Sequence, residues 1–155
     1  MNNLEKVILV LGSLELGGAE RQALLFARHL HLEQGVNVQI WGFNSPGKIS
    51  ELCKEYGIPC RIEPVELSGN PFIFAKNLLS YTLKLRMQKP DIIISYTNYP
   101  NIICALIWRF TGARKFIWNQ RDLGIERITS KIERVAVINT RYFIANSSQV
   151  KDFLV

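Results

Sequence analysis

The chain has 155 residues, of which 48% are hydrophobic, 21% charged and 10% aromatic, a size and composition that fit one globular domain and exclude a disordered or low-complexity polymer. Net charge is +6 at pH 7, yet Lys and Arg are scattered, with no basic block, zinc-finger spacing or aromatic ribonucleoprotein motif, so nucleic acid is not an expected partner. The longest apolar runs, residues 7–11 and 102–108, fall far short of the roughly 20 residues that cross a bilayer.

The start Met1-Asn2-Asn3-Leu4-Glu5-Lys6 lacks the basic region and cleavage site of a secretory signal, and a cytoplasmic protein is expected. The cysteines Cys53, Cys60 and Cys104 match neither a disulfide framework nor a zinc site, and are expected to be buried, inert thiols.

Val7-Ile8-Leu9-Val10-Leu11 is a continuous apolar run ended by Gly12, which reads as a strand buried on both faces of a parallel sheet. A helix is expected from Gly18, with Ala23, Phe26, Ala27 and Leu30 on one stripe and Gly35 beyond its end. Residues 36–41 alternate as a half-exposed second strand. Residues 49–56 read as a short helix stopped at Gly57, and residues 58–65 as an irregular third strand whose Pro59 and Pro64 suit a sheet edge. Residues 72–88 form a long helix ended by Lys89-Pro90, followed by Asp91-Ile92-Ile93-Ile94-Ser95-Tyr96 as a central fourth strand. A helix over about residues 101–110 ends at Gly112, and residues 115–118 make a fifth strand. Ile125, Ile128, Ile132 and Val135 then line one face of a helix, Tyr142-Phe143-Ile144-Ala145 is a sixth strand, and Ser147 caps a last helix. Strands separated by helical crossovers every 25 to 30 residues or so predict an α/β, Rossmann-like, doubly wound parallel sheet of about six strands.

In such sheets ligands bind beyond the carboxyl ends of the strands, where strand order reverses between the first and fourth. Loops 12–18, 97–101 and 119–124 are then the ones that matter. The first reads Gly12-Ser13-Leu14-Glu15-Leu16-Gly17-Gly18-Ala19-Glu20-Arg21. A dinucleotide fingerprint needs glycine where Leu14 stands and an acidic residue where Phe43-Asn44 ends the second strand; a P-loop needs Lys-Ser or Lys-Thr where Gly18-Ala19 stands. Neither an NAD enzyme nor an NTPase is expected.

Gly17-Gly18 at a helix start lets backbone amides approach a phosphate or carboxylate, with the helix dipole in favour; the alternative is a tight turn that needs φ > 0. Glu20 either joins this substrate-binding group or complements the dipole. Asn98 either lines the cleft or caps the next helix. Arg121-Asp122 is either a site pair at a strand's carboxyl end or a surface ion pair. Phe72, Phe74 and Tyr81, interleaved with Lys76, Lys84 and Arg86, either rest on an anionic membrane or give a helix with one core face and one solvated basic face. No carboxylate cluster of Asp-x-Asp character occurs, so neither a metal nor a resident cofactor is expected.

Residues 17–30, Gly-Gly-Ala-Glu-Arg-Gln-Ala-Leu-Leu-Phe-Ala-Arg-His-Leu, directly after a buried first strand, resemble the opening of the N-terminal domain of retaining GT-B glycosyltransferases of family 4. Residues 91–102 are similar to the family's fourth strand and following helix start. Asn119-Gln120-Arg121-Asp122 stands where many members carry an Arg-Asn or His-Asp pair, and Ile144-Ala145-Asn146-Ser147-Ser148 resembles the sixth strand with its Asn-Ser ending. The resemblance implies a nucleotide-sugar donor whose diphosphate faces the amides of Gly17 and Gly18, and a glycan or lipid-linked saccharide acceptor. It implies that Asn98, Asn101, Arg121 and Asp122 line the acceptor and donor-sugar side, with Arg121 and Asp122 catalytic; Arg121 stands where other members have His, so no His-dependent step carries over. It further implies a missing C-terminal Rossmann-like domain that holds the nucleotide, so this chain is expected to be half of an enzyme, inactive alone; the abrupt apolar end Asp152-Phe153-Leu154-Val155 itself reads as a fragment boundary. Two rivals stand beside it: a non-catalytic module that pairs with a separate chain, and a sugar-nucleotide epimerase.

Overall fold

A computed structural model of the chain describes residues 5–65, 69–121 and 131–146. Strands and helices alternate along it as β1 (Lys6–Leu11), α1 (Gly18–Leu32), β2 (Asn37–Gly42), α2 (Lys48–Glu55), β3 (Cys60–Ile62), α3 (Pro71–Met87), β4 (Ile92–Tyr96), α4 (Asn98–Thr111), β5 (Lys115–Gln120), α5 (Lys131–Ile138) and β6 (Tyr142–Ala145). All pairings are parallel and the order across the sheet is β3-β2-β1-β4-β5-β6. This is the doubly wound sheet that the sequence predicts, with the reversal between β1 and β4.

The two faces of the sheet carry separate cores. Leu9, Leu11 and Ile40 pack with Ala23, Leu24 and Ala27 of α1 and Ile49 and Cys53 of α2. Ile8, Val10, Trp41, Ile93 and Phe116 pack on the other face with Tyr81 and Leu85 of α3 and Ile103 of α4. The continuous apolar runs of β1 and β4 follow from this, since alternate side chains point into different cores and both are dry.

Several expectations are corrected. β2 is not half-exposed: Val38 to Trp41 are all buried, because β3 lies outside β2 and helices cover both faces. Its one polar side chain, Gln39, is satisfied by accepting from Trp41 Nε1 at 3.1 Å and donating to Gln88 Oε1 at 3.3 Å. The buried stripe of α1 is Ala23, Leu24 and Ala27, while Phe26 is 40% exposed, so the helix is rolled slightly from the predicted face. β5 runs on to Gln120, which takes Asn119 out of the predicted loop, and α4 begins three residues early, at Asn98.

In α5 the apolar face that carries Ile132 and Val135 is exposed, and Ala136 is the residue buried. Ile125, Ile128 and Ser147 lie outside the described residues. Tyr81 belongs to the core, which removes it from any membrane-facing set. β3 is a short edge strand between Pro59 and Pro64, as expected. The cysteines are free; Cys53 and Cys104 are buried, but Cys60 is half-buried and shares a hydrogen bond with Cys53. Among the described residues no helix is long and apolar enough to cross a membrane.

Burial pushes the Tyr81 hydroxyl and the Cys104 thiol above their ordinary values. Burial also raises Tyr96, partly offset by a hydrogen bond from Asn119 and the charge of Arg121. The unfolded chain ionises such groups from about pH 9 upward, while the folded chain keeps them neutral. Folded-state values raised above unfolded ones give stability that is intact below that pH and lost as pH rises. The urea midpoint is therefore expected to fall steadily from about pH 9 to pH 11; a midpoint that stays level over that window would contradict the burial of these groups.

Candidate functional site

At the switch point β1 and β4 run side by side, with Leu9 opposite Ile94 and Val10 opposite Ser95. Only Thr97 separates β4 from α4, and its backbone sits at φ 68°, ψ 166°, a region that residues other than glycine rarely adopt. Such strain costs about 1–3 kcal/mol and persists only where the surroundings enforce it. Here they do: Thr97 N donates to Asn119 O at 3.3 Å, Thr97 Oγ1 donates to Tyr96 O at 2.5 Å, and Asn101 N donates to Thr97 O at 3.1 Å. Across the gap lies Gly12, where a β-carbon would stand 3.6 Å from both Thr97 Oγ1 and the Pro100 ring. The loops after β1 and β4 thus touch.

Beneath Thr97 is a buried polar network centred on Asn101, which is fully buried. Its Oδ1 accepts from Ser95 Oγ at 2.5 Å, and its Nδ2 donates to Asn119 O and Gln120 Oε1, each at 3.3 Å. Gln120 Oε1 also accepts from Trp118 Nε1 at 2.6 Å. Asn101 therefore faces the interior and ties β4, α4 and β5 together. Next to this network, Asn119 hydrogen-bonds the Tyr96 hydroxyl, and Arg121 lies close enough to act on it electrostatically. Asn119 Oδ1 and Arg121 Nε are buried without partners, and the Arg121 carbonyl accepts from Asn146 Nδ2 at 3.3 Å. Asp122 lies outside the described residues.

The glycine loop is anchored by the residue that breaks the dinucleotide pattern. Leu14 is fully buried over Gly42, where any β-carbon would run into the Leu14 side chain. Its carbonyl accepts from Ile49 N at 2.9 Å, which links the loop after β1 to the first turn of α2. Past this anchor the chain is exposed from Glu15 to Gly18.

Gly17 has φ −105° and ψ −179°, and neither Gly17 nor Gly18 has positive φ, which overturns the left-handed-turn alternative. A β-carbon at Gly18 would meet nothing within 4 Å, and at Gly17 it would meet only the carboxylate end of Glu20. The fold does not need glycine at position 18, which leaves open space beside its backbone amide; the Gly17 amide donates to Glu15 O at 3.2 Å. No side chain caps α1, whereas Asn70 caps α3 by accepting from Phe72 N at 3.0 Å. α4 also lacks a side-chain cap, and Thr97 rather than Asn98 holds its capping position. Asn98 instead opens the first turn of α4, half-exposed. Two uncapped helix starts, each a partial positive charge, therefore lie on one edge of the sheet after adjacent strands.

This edge brings together Gly17, Gly18 and Glu20 on one side and Asn98 and Arg121 on the other. Sequence reasoning missed Tyr96, Thr97 and Asn119. Asn119 carries a readable signal, an amide at the end of an apolar strand; Thr97 carries none, because a β-branched residue is among the last expected at positive φ. Among the described residues no group of His, Cys, Asp and Glu could hold a metal ion. Asn101→Ala would strand Ser95, Gln120 and a strand-end carbonyl, and is expected to lower unfolding free energy by about 3 kcal/mol. Equilibrium denaturation measures this directly, and a loss under about 1 kcal/mol would return Asn101 to the solvent side of the cleft.

The family model described as Glycosyltransferase Family 4 matches residues 16–155. No curated protein matches the chain in sequence. Among solved structures, a glycosyltransferase from Rickettsia africae is similar with a TM-score of 0.74 at 22% identity, over 98% of this chain and 39% of that one. The HepE protein of Anabaena, in complex with UDP and glucose, gives 0.70 at 19% identity, over 97% and 40%. UDP-GlcNAc 2-epimerase from Neisseria meningitidis, bound to UDP-GlcNAc, gives 0.65 at 12% identity, over 96% and 42%. The chain thus spans about two fifths of the length of these structures and shares the fold of the N-terminal Rossmann-like domain of GT-B proteins. With 140 of its 155 residues inside the family match, the chain belongs to Glycosyltransferase Family 4.

Proposed function

We propose that this chain is the acceptor-side N-terminal domain of a two-domain enzyme of polysaccharide biosynthesis, which transfers a sugar with retention from a nucleotide sugar to a glycan or lipid-linked saccharide. The observation that carries the reading is the Gly17-Gly18 turn, at an uncapped helix start beside the switch point: neither glycine has positive φ, and at Gly18 no internal contact calls for one. A phosphate oxygen fits that approach, and the family match makes the donor's diphosphate the natural anion.

In this reading the glycosidic C–O bond to the diphosphate lengthens through an oxocarbenium-like transition state, and negative charge grows on the leaving oxygen. The Gly18 amide and the positive start of α1 would stabilise that charge without reorganising, while Gly17, whose amide donates to Glu15 O at 3.2 Å, would keep the approach free of a side chain. Asn98 and Arg121 line the acceptor and donor-sugar side, Asp122 keeps the catalytic role that the resemblance implies for it, and Glu20, lying against Gly17, borders the phosphate approach. Asn101 acts as a positioning residue, since its amide is committed inside. Charge stabilisation is assigned to amides and helix ends rather than to a metal ion or resident cofactor, and a second domain completes the nucleotide site, so the chain by itself does not turn over.

An epimerase with this fold is also similar in structure, so the fold does not separate the two activities; the family match favours transfer. Product analysis with and without acceptor tells them apart, because an epimerase acts on its sugar nucleotide with no acceptor present.

Gly18→Val is the direct test, made in the protein as its cell produces it. Gly18 has open space and no positive φ, so the variant is expected to fold with a denaturation midpoint close to that of the parent. Turnover of the screened donor should drop about 100- to 1,000-fold, the usual effect of losing one such donor. Near-normal turnover in a folded variant would sink the assignment.

A further inference from the structure

Away from the candidate site, the outer side of α3 is apolar: Phe72, Leu79, Leu83 and Met87 are exposed, and Leu79 and Leu83 wall a groove with Leu106 and Phe110 of α4. Among the described residues no thiol, imidazole or carboxylate lines that groove. Side chains able to react stand instead at the β3 edge of the sheet, where α2 meets β3 and two of the three cysteines touch.

Local backbone geometry makes that contact. α2 ends at Glu55, and Gly57, at φ 68°, turns the chain back through the left-handed region that favours glycine. Ile58 N then donates to Cys53 O at 2.9 Å, and the Pro59 carbonyl accepts from Ile40 N at 3.0 Å, which delivers Cys60 into the sheet opposite Ile40. Cys53, in the last turn of α2, and Cys60, the first residue of β3, are thus held together by backbone hydrogen bonds on either side of the turn.

The two thiols are not equivalent. Cys53 is fully buried in the core with Ile40, Ile49 and Ile58. Cys60 is half-buried and lines a pocket of about 360 Å³, where the extended chain presents Ile58, Cys60 and Ile62 to Ser50 and Lys54 of α2. The Cys53 thiol donates to the Cys60 sulfur, which holds Cys60 below the ordinary thiol range; the same bond, together with burial, pushes Cys53 up. Cys53 also lies near the negative end of the α2 dipole, which opposes a thiolate there, whereas Lys54 brings a positive charge to the pocket beside Cys60. Since the thiolate is the attacking form, the activated sulfur is the one that outside reagents reach. Cys104 has neither property: it is fully buried, and burial alone raises its thiol.

We infer that Cys60 and Cys53 form a redox-active thiol pair, open at the α2–β3 pocket, which a hydroperoxide converts to a disulfide. The Cys60 sulfur attacks the peroxide and the O–O bond breaks; Cys60 becomes a sulfenic acid, and the leaving oxygen takes up the proton that Cys60 gave up and departs as water or an alcohol. The Cys53 sulfur then attacks the sulfenic sulfur. Its proton and the sulfenic hydroxyl leave as water, and the S–S bond joins α2 to β3. Two thiols are oxidised, one peroxide is reduced, and no other reactant is consumed. The inference stands on α2 and β3 alone and does not depend on the sugar-transfer reading. α2 also carries Ile49, whose amide donates to Leu14 O at 2.9 Å, so the bond would tie the sheet edge to the helix on which the glycine loop rests.

The test treats the folded full chain with hydrogen peroxide and counts free thiols after unfolding in guanidinium. The count is expected to fall from three to one and to return to three with dithiothreitol. Trypsin cuts after Lys48, Lys54 and Arg61, so the bond should join peptide 49–54 to peptide 55–61, the joined pair being two hydrogens lighter than its reduced parts. Before oxidation, N-ethylmaleimide should label Cys60 in the folded chain at least about tenfold faster than Cys104. Cys53→Ala should halt the reaction at a Cys60 sulfenic acid that dimedone traps, and Cys104→Ala should oxidise like the parent. A count that stays at three, a bond that uses Cys104 or a second copy of the chain, or a sulfenic acid that persists in the parent would overturn the proposal. The parent and Cys104→Ala measurements decide the matter even where Cys53→Ala fails to fold.

Discussion

The pairing of β1 with β4 is the constraint from which the rest of the molecule follows. A parallel sheet cannot turn back on itself, so each strand hands the chain to a helix that returns across one face, and every strand ends on the same edge. Crossovers from β1 run toward β3 on one side, and those from β4 run toward β6 on the other. Two strands therefore finish next to each other with their following helices leaving to opposite faces, and the gap between those helices is filled by no secondary structure. Helix N-termini collect there for topological reasons, before any residue is chosen for chemistry.

The residues at that edge divide into those that build it and those that are left over. Asn101, Ser95, Gln120 and Trp118 spend their polar atoms on one another, and Leu14 fills the space above Gly42. These fix where the loops run. Thr97 is held at an unfavourable backbone angle, Asn119 Oδ1 and Arg121 Nε are buried without partners, and α1 and α4 start without caps. A buried polar atom left unpaired costs about 1–3 kcal/mol, and the Thr97 backbone a similar amount. Among the described residues, apart from the Tyr81 hydroxyl in the core and the positive φ of Lys89 before β4, these costs gather at one edge of the sheet. Folding alone gives no reason for that concentration, and it supports reading the edge as a binding surface.

Most of the architecture was legible because burial on both faces writes itself as uninterrupted apolar sequence, as in residues 7–11 and 91–96. Where legibility failed, tertiary context had overridden a local pattern. The alternation Val36 to Trp41 is real in the sequence, but a third strand outside β2 and helices on both faces bury it, with Gln39 satisfied by Trp41 and Gln88. Ile132 and Val135 have helical spacing, yet α5 shows them to solvent and buries Ala136. At the site, Gly17-Gly18 was visible because paired glycines before an apolar stripe are rare punctuation. The angle at Thr97 had no signature at all, since it is imposed by Asn119, Asn101 and Tyr96 rather than chosen by threonine.

The two glycines and the outer face of α3 are the same kind of observation at different scales. In each case a residue type is present that the described fold does not use: glycine at position 18, where a side chain would meet open space, and leucine, phenylalanine and methionine on a half-exposed or exposed helix face. Exposed apolar side chains standing singly are ordinary, whereas a contiguous stripe with a groove marks contact with something else. The glycine turn removes bulk beside a helix start; the α3 stripe adds apolar bulk at the surface. α4 belongs to both regions, with Thr97 and Pro100 at the cleft and Leu106 and Phe110 on the groove. A rigid helix whose first turn is held by the Asn101 network thus sets the position of one region relative to the other, so that the distance between the glycine edge and the α3–α4 groove is a property of the fold rather than of a flexible tether.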